Sequence, residues 1–139
     1  MRLARSEAVA RLAARDHGVL CTVHATRGVD AVPCVFAADD GFIGVPVDRV
    51  KPKSTFRLQR ERNLDADRRA TLLVEQWDRD DWSQLWWVRA SLRWEADPSP
   101  RQVDDLSAQL RRRFSQYVGE PFARIHVFRI IEVTGWAAR

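Results

Sequence analysis

The chain has 139 residues, 45% of them hydrophobic and 30% charged, a balance that is typical of a soluble globular protein and predicts one domain over residues 1–139. No apolar run approaches the about 18 residues of a transmembrane helix, and the N-terminus lacks the apolar core of a signal peptide. We therefore expect a cytoplasmic protein with no membrane partner. The net charge of +4 is compatible with an anionic ligand but identifies none.

Hydrophobic periodicity and turn residues predict the order helix, three strands, helix, two strands, helix, strand. The predicted helices cover residues 5–15, Pro52 to about 64, and about 101–117. The predicted strands cover residues 19–24, 31–37, 42–47, 70–77, 86–95 and 123–137. Pro33 inside the second strand argues for an edge strand, a bulge or an N–H that need not pair. This order predicts an α+β, mainly β, fold in which antiparallel hairpins form a β-barrel with small flanking helices.

The strand over residues 86–95 shows the clearest alternation in the chain. One face carries Trp86, Val88, Ala90, Leu92 and Trp94, whereas the other is mostly charged. Trp86 and Trp87 must therefore lie on opposite sides of this strand. A tryptophan outside the core either stacks on a planar ligand or packs in a subunit interface.

A basic segment follows the third predicted strand. Its lysines, Lys51 and Lys53, are the only two in the chain, and they flank Pro52, which suits the first position of a helix. If the segment is helical, Lys53, Arg57 and Arg60 lie on one face. The free N–H groups of a helix start and these cations predict a phosphate or carboxylate site. The alternative is an ordinary solvated basic face.

Catalytic and metal-binding patterns are absent from the sequence. It has no nucleophile elbow, no Walker loop and no Rossmann glycine fingerprint, so we predict no catalytic side chain. Cys21 and Cys34 are interpreted as buried free thiols, and the three histidines show no ligand spacing, so no metal site is predicted. Nucleic-acid binding is disfavoured because the basic residues form no long stripe and 19 residues are acidic.

Three segments carry a resemblance to a known family. Residues 32–37, the Val47-Asp48-x-x-Lys51-Pro52-Lys53 run and residues 58–64 resemble the flavin-type split β-barrels related to pyridoxamine 5′-phosphate oxidase. Residues 77–89, with their Trp-Ser-x-Leu-Trp-Trp-Val-Arg run, are similar to an actinobacterial subgroup of coenzyme F420-dependent enzymes. The resemblance implies a six-stranded antiparallel split barrel that forms a homodimer with two cofactor sites in the interface.

The resemblance also implies roles for individual residues. Those that would hold the phosphate and acidic tail of the cofactor are Lys51, Lys53, Arg57 and Arg60, the last of which stands where many relatives carry lysine. Those that would lie against the ring system and ribityl chain are Pro33, Cys34, Val35, Val47 and Asp48. Trp77 or Trp87 would close the pocket, from the same or the partner subunit.

The resulting hypothesis is an F420-dependent oxidoreductase that transfers a hydride between the deazaflavin and a small conjugated acceptor. In such proteins the cofactor carries the redox chemistry and the protein supplies orientation and electrostatics, which agrees with the missing catalytic motif. FMN is the alternative cofactor. A non-catalytic carrier of the same cofactor, or a haem-binding relative, is the alternative class of function.

Overall fold

The structure is a computed structural model that describes residues 1–48, 57–119 and 122–139. Its helices are α1 (Arg5–Ala13), α2 (Gln59–Ala66), α3 (Pro100–Arg113) and α4 (Gln116–Gly119). Its strands are β1 (His17–His24), β2 (Gly28–Val35), β3 (Ala37–Asp39), β4 (Phe42–Val47), β5 (Arg69–Gln76), β6 (Trp86–Glu95) and β7 (Arg124–Ala137). No helix in these described ranges is long and apolar enough to cross a membrane.

The seven strands form one sheet in the order β2-β1-β5-β6-β7-β4-β3, and every neighbouring pair is antiparallel. The sheet curls into a half-barrel, because β2 also contacts β4 although β1, β5, β6 and β7 separate them. This curl brings the end of the edge strand β2 towards the end of β4. The predicted α+β, mainly β, antiparallel class is therefore confirmed.

The core fills the concave side of the half-barrel. Each strand contributes alternate side chains, such as Leu20, Leu72 and Val88, and none of these three is more than 2% exposed. Leu12 of α1 and Leu64 of α2 are buried in the same core. Burial of each such side chain contributes roughly 1.5–3 kcal/mol relative to leaving it in water.

Helix α3 covers the part of the sheet built from β3 and β4. Gly44 makes this approach possible, because a Cβ at this position would stand 2.7 Å from Ile125 Cδ1 and 3.0 Å from Leu106 Cβ. Leu106 and Leu110 of the helix are buried there. Ser99 caps the helix by accepting from the N–H of Gln102, so the helix begins at Pro100, one residue before the predicted start.

The predicted number of strands is wrong by one. The segment predicted as a single strand over residues 31–37 is two strands, β2 and β3, separated at Phe36. Phe36 is fully buried in the core, and its N–H donates to Asp16 O at 3.2 Å instead of to a strand partner. The prediction for Pro33 is confirmed, because β2 is an edge strand of the sheet.

The predicted basic helix does not run through Arg57 and Leu58. Residues 49–56, which include Lys51, Pro52 and Lys53, lie outside the described residues, and α2 begins at Gln59. The Glu61 carboxylate accepts from the N–H of Leu58 at 2.8 Å, and Leu58 itself is extended, so the helix starts there. Arg57 therefore precedes the helix, and the predicted common helical face of Arg57 and Arg60 is wrong.

The last predicted helix is interrupted. It was expected over residues 101–117, but α3 ends at Arg113 and Phe114 is extended. Gln116 and Tyr117 lie on the separate short helix α4. This break matters for the site described below, because α4 forms one of its walls.

Candidate functional site

A cleft of about 490 Å³ lies where the end of β2 approaches the end of β4, with the start of α2 and the short helix α4 as further walls. Its volume falls in the range of small-molecule sites, about 300–1,000 Å³. The described residues that line it are His17, Pro33, Cys34, Val35, Pro46, Val47, Asp48, Leu58, Arg60, Gln116 and Tyr117.

Six of the residues selected from the sequence meet in this cleft, namely Pro33, Cys34, Val35, Val47, Asp48 and Arg60. They come from three separate segments of the chain, and the curl of the sheet brings these segments together. Asp48 and Leu58, on either side of the undescribed residues 49–56, both line the cleft. Lys51 and Lys53 lie outside the described residues.

Three other selected residues lie elsewhere in this chain. Arg57 is exposed and forms an ion pair with Asp65. Trp77 follows β5 and is 57% exposed. Trp87 lies on the other face of the sheet, in a groove of about 400 Å³ that it lines with Leu73, Glu75, Leu85 and Arg89, the Trp87 groove. Closure of the cleft by either tryptophan, from a partner subunit, stays a prediction.

Arg60 is the one lysine or arginine among the described residues that line the cleft. Its Nε donates to Nδ1 of His126 at 3.1 Å, and its Nη2 donates to the carbonyl oxygen of Pro46 at 3.3 Å. Burial lowers the pKa of Arg60, but an arginine remains charged at neutral pH. The cleft therefore contains a fixed positive charge whose Nη1 donates to none of the described residues and so can donate to an anion.

A buried ionic cluster stands behind Arg60. His126 is 3% exposed, and burial together with the charge of Arg60 lowers its pKa to about 4, so the imidazole is neutral at neutral pH. Its Nε2 lies 3.2 Å from Glu61 Oε2, although the N–H is not aligned for a hydrogen bond. Glu61 in turn accepts from Nε of Arg124 at 2.9 Å.

Glu61 is ionised throughout the neutral range. Burial alone would raise the pKa of its carboxyl, but hydrogen bonds from Arg124 and from the N–H of Leu58 outweigh burial and lower the pKa to about 2. The carboxylate thus ties the start of α2 to β7 and sets the position of the helical turn that carries Arg60. The sequence contains no local signal for this link, because Glu61 and Arg124 are 63 residues apart.

The edge strand β2 forms an uncharged wall. Burial raises the pKa of the Cys34 thiol to about 11, so Cys34 is a neutral side chain beside Arg60. An edge strand also presents backbone groups that no neighbouring strand pairs. This wall can contact the face of a planar ring and offer backbone hydrogen bonds to its polar edge.

Tyr117 of α4 is a site residue that sequence reasoning missed. Its hydroxyl donates to Asp48 Oδ1 at 2.7 Å across the cleft, and its ring meets Phe122 edge-on at 5.2 Å. Burial and then the Asp48 carboxylate raise the pKa of Tyr117, which keeps the phenol protonated. The sequence predicts one helix through this position, whereas in the structure α3 ends at Arg113 and Tyr117 lies on the separate helix α4 at the cleft.

The sequence matches no protein-family model, and no curated protein matches it. Solved structures do match. An FAD-binding protein from Mesorhizobium loti superposes with a TM-score of 0.72 at 17% identity, over 97% of this chain and 93% of its own. The haem storage protein HutZ from Vibrio cholerae superposes with a TM-score of 0.65 at 13% identity, over 94% and 91%.

A third match is a protein from Corynebacterium glutamicum provisionally described as a pyridoxamine 5′-phosphate oxidase. It superposes with a TM-score of 0.59 at 16% identity, over 97% of this chain and 90% of its own. Identities this low establish the fold alone. The chain therefore has the fold that flavin-binding, haem-binding and pyridoxamine 5′-phosphate oxidase-like proteins share.

Proposed function

We propose that the protein is an F420-dependent oxidoreductase, which transfers a hydride between the deazaflavin and a small conjugated acceptor. The observation that carries this proposal is the meeting of six sequence-selected residues in one cleft, among them the cation Arg60, which His126 holds in place. The cleft fits a flavin-type group in volume, in its cation and in its edge-strand wall. A bound deazaflavin would supply the hydride, and the chain would bind and orient it.

In this proposal, each wall of the cleft contacts a different part of the cofactor. Arg60 binds the phosphate, and Lys51 and Lys53 extend the positive charge along the acidic tail. The ring lies against Pro33, Cys34 and Val35, while Val47 and Asp48 border the ribityl chain. Support comes from Asp48 and Leu58, which line the cleft on both sides of the lysine-bearing segment. Arg57, which pairs with Asp65, is the weakest member of this set.

FMN is the alternative cofactor because it shares the phosphate but lacks the oligoglutamyl tail of F420. The FAD-binding structural neighbour favours a flavin, whereas the Trp-Ser-x-Leu-Trp-Trp-Val-Arg run and the additional basic residues favour F420. The two cofactors therefore differ mainly in what lies beyond the phosphate. Separate titrations of the same preparation with F420 and with FMN decide between them.

A homodimer is part of the proposal. The Trp87 groove lies on the outer face of the sheet, where Trp87 is the cross-strand partner of the exposed Trp136. We propose that a second copy of the chain covers this face. We also propose that the substrate enters the cleft alongside that second copy. Apolar and aromatic surface of this kind is enriched in subunit interfaces.

A non-catalytic carrier is the second candidate class, and haem is its specific case because HutZ shares the fold. His126 is unsuited as a haem ligand, since its Nδ1 accepts from Arg60 and its Nε2 faces Glu61 in the core. His17 does line the cleft, so it is the histidine to test. Loss of a haemin absorbance band in His17→Ala, but not in His24→Ala, would favour this candidate.

The deciding experiment is a fluorescence titration of the purified protein with F420 and with FMN, followed by turnover of a panel of conjugated acceptors with reduced F420. Saturable F420 binding without FMN binding is expected, and acceptor reduction distinguishes an enzyme from a carrier. Arg60→Ala should weaken binding, whereas Arg62→Ala should not. Arg62 is a matched control because it is an exposed arginine on the same helix and outside the cleft. Binding of FMN alone would overturn the choice of F420.

A further inference from the structure

We propose that His126 is a positioning residue for the anion site, which holds the Arg60 guanidinium towards the cleft as a neutral hydrogen-bond acceptor. This inference rests on the proposed function, because it gives Arg60 the anionic part of the cofactor as its ligand. His126 lies on β7 and Arg60 on α2, 66 positions apart in the chain.

The Arg60 side chain is held at two of its nitrogens. Nε donates to His126 Nδ1 at 3.1 Å and Nη2 donates to Pro46 O at 3.3 Å, whereas Nη1 donates to none of the described residues. These two bonds fix the plane of the guanidinium relative to the end of β4. The remaining N–H groups are thus pre-oriented, so little side-chain entropy is lost when an anion binds.

The His126 ring must take one particular tautomer to do this. Because Nδ1 accepts from Arg60, the ring proton lies on Nε2, which is the nitrogen that faces the Glu61 carboxylate at 3.2 Å. Glu61 is itself held by Arg124 and by the N–H of Leu58. The direction of the Arg60 side chain is therefore determined by a sequence of contacts that runs from β7 through the core.

The same geometry accounts for arginine at position 60. A lysine would concentrate its donors on one nitrogen, so His126 and the ligand would compete for a single ammonium. A guanidinium separates these roles, because Nε donates to the imidazole and Nη2 to Pro46 O, while Nη1 and the second N–H of Nη2 can donate to the ligand. Arginine at position 60 and histidine at position 126 therefore form a functional pair.

An alternative is that His126 simply packs in the core, where its ring meets Trp94 edge-on at 6.5 Å. The two roles differ in whether the effect of His126 on ligand binding depends on Arg60. A packing residue affects ligand binding to the same extent whether or not Arg60 is present, whereas a positioning residue acts only through it.

The first part of the test needs no cofactor. In the unliganded protein, NMR should show His126 as the Nε2–H tautomer and an Arg60 Nε–H that exchanges slowly with water. His126→Phe, which retains a ring but no acceptor, should abolish that slow exchange, and His126→Gln should restore part of it. A fast-exchanging Arg60 Nε–H in the unsubstituted protein would overturn the inference, even if neither F420 nor FMN binds.

The second part is a double-mutant cycle on the dissociation constant for F420, with FMN in parallel. His126→Phe should weaken binding by about 10- to 100-fold, the scale of one lost hydrogen bond to a charged group, and should have no effect in an Arg60→Ala background. Thermal denaturation of each variant shows whether it is folded, and His126→Leu, which also has no acceptor, replaces His126→Phe if the latter is not. Equal weakening in both backgrounds would overturn the inference. Failure of the unsubstituted protein to bind either cofactor would overturn the proposed function instead.

Discussion

The cleft and the Trp87 groove lie on different parts of the sheet and differ in how their polar groups are held. In the cleft, Arg60 is bonded to a histidine and a carbonyl that are themselves fixed in the fold. In the groove, Arg89 has an exposed side chain and lies over the Trp87 ring at 5.2 Å. The guanidinium in the cleft is therefore held by the fold, whereas the one in the groove lies on an exposed ring. This difference favours the proposed small anionic ligand in the cleft and the proposed second protein surface on the groove.

The largest effect should come from removing the carboxylate beneath the cleft. Glu61→Ala leaves Arg124 and the N–H of Leu58 without their shared acceptor and removes the carboxylate beside His126, so we expect the free energy of unfolding to fall by about 3 kcal/mol. Urea denaturation measures this loss. Glu75→Ala in the groove is the matched control, because Glu75 is exposed, and it should change stability by less than about 0.5 kcal/mol. Equal losses in the two variants would contradict the contrast between the regions.

Acid should lower the free energy of unfolding over a pH window that the titration of His126 defines. The pKa of His126 is lowered in the fold to about 4, so the unfolded chain binds a proton first, and stability falls as pH drops from about 6.5 to about 4. The full effect is roughly 3 kcal/mol, from the size of the pKa shift. Urea midpoints across this range should show the slope in the unsubstituted protein and a flatter profile in His126→Gln.

Glu61 adds to this acid sensitivity at lower pH. The pKa of the Glu61 carboxyl is lowered to about 2, so the stabilisation that the carboxylate provides is complete above the unfolded value near 4.3 and is lost as pH falls towards 2.

A His126→Gln profile that stays steep between pH 6.5 and 4 would contradict the assignment of the upper window to His126.

Substitutions in the Trp87 groove should weaken the proposed dimer. Trp87→Ala should weaken the proposed dimer by about 2 kcal/mol or more, as expected for a buried aromatic anchor at an interface, with little loss of monomer stability. Sedimentation at several protein concentrations measures the shift. Trp82→Ala is the matched control, because Trp82 is 67% exposed in the loop before β6 and lies outside the groove. A protein that is monomeric before substitution would contradict the proposed dimer.

The cation in the cleft should affect binding more than folding. Arg60→Ala is expected to weaken cofactor binding by roughly 1–3 kcal/mol, the scale for a charge-assisted hydrogen bond, and the same loss is predicted for Lys51→Ala and Lys53→Ala. Fluorescence titration measures each loss. If Lys51→Ala and Lys53→Ala weaken binding of F420 but not of FMN, the lysines contact the acidic tail and not the phosphate.

The smallest effect should come from the tyrosine wall. Tyr117→Phe removes the hydroxyl that donates to Asp48 at 2.7 Å while it keeps the ring against Phe122. Because Asp48 is exposed, we expect a change of no more than about 1 kcal/mol in stability or in cofactor affinity. A larger loss of affinity with unchanged stability would mean that the hydroxyl contacts the ligand directly.

The sequence by itself determined the elements whose pattern is local. Alternation placed Val88, Ala90 and Leu92 in the core and predicted the opposite faces of Trp86 and Trp87. Pro33 indicated an edge strand, because a residue without an N–H is poorly tolerated between two partners. The resemblance of short segments to a flavin-type family was enough to select six residues that line the cleft.

Only the tertiary structure decided how those elements meet. The start of α2 depends on Glu61, whose partner Arg124 is 63 residues away, and the direction of Arg60 depends on His126, 66 residues away. The wall formed by Tyr117 depends on a helix break that separates α3 from α4, and the cleft itself depends on the curl of the sheet. Periodicity indicates which face of an element is apolar. It does not indicate which distant residue a buried charged group will contact in the fold.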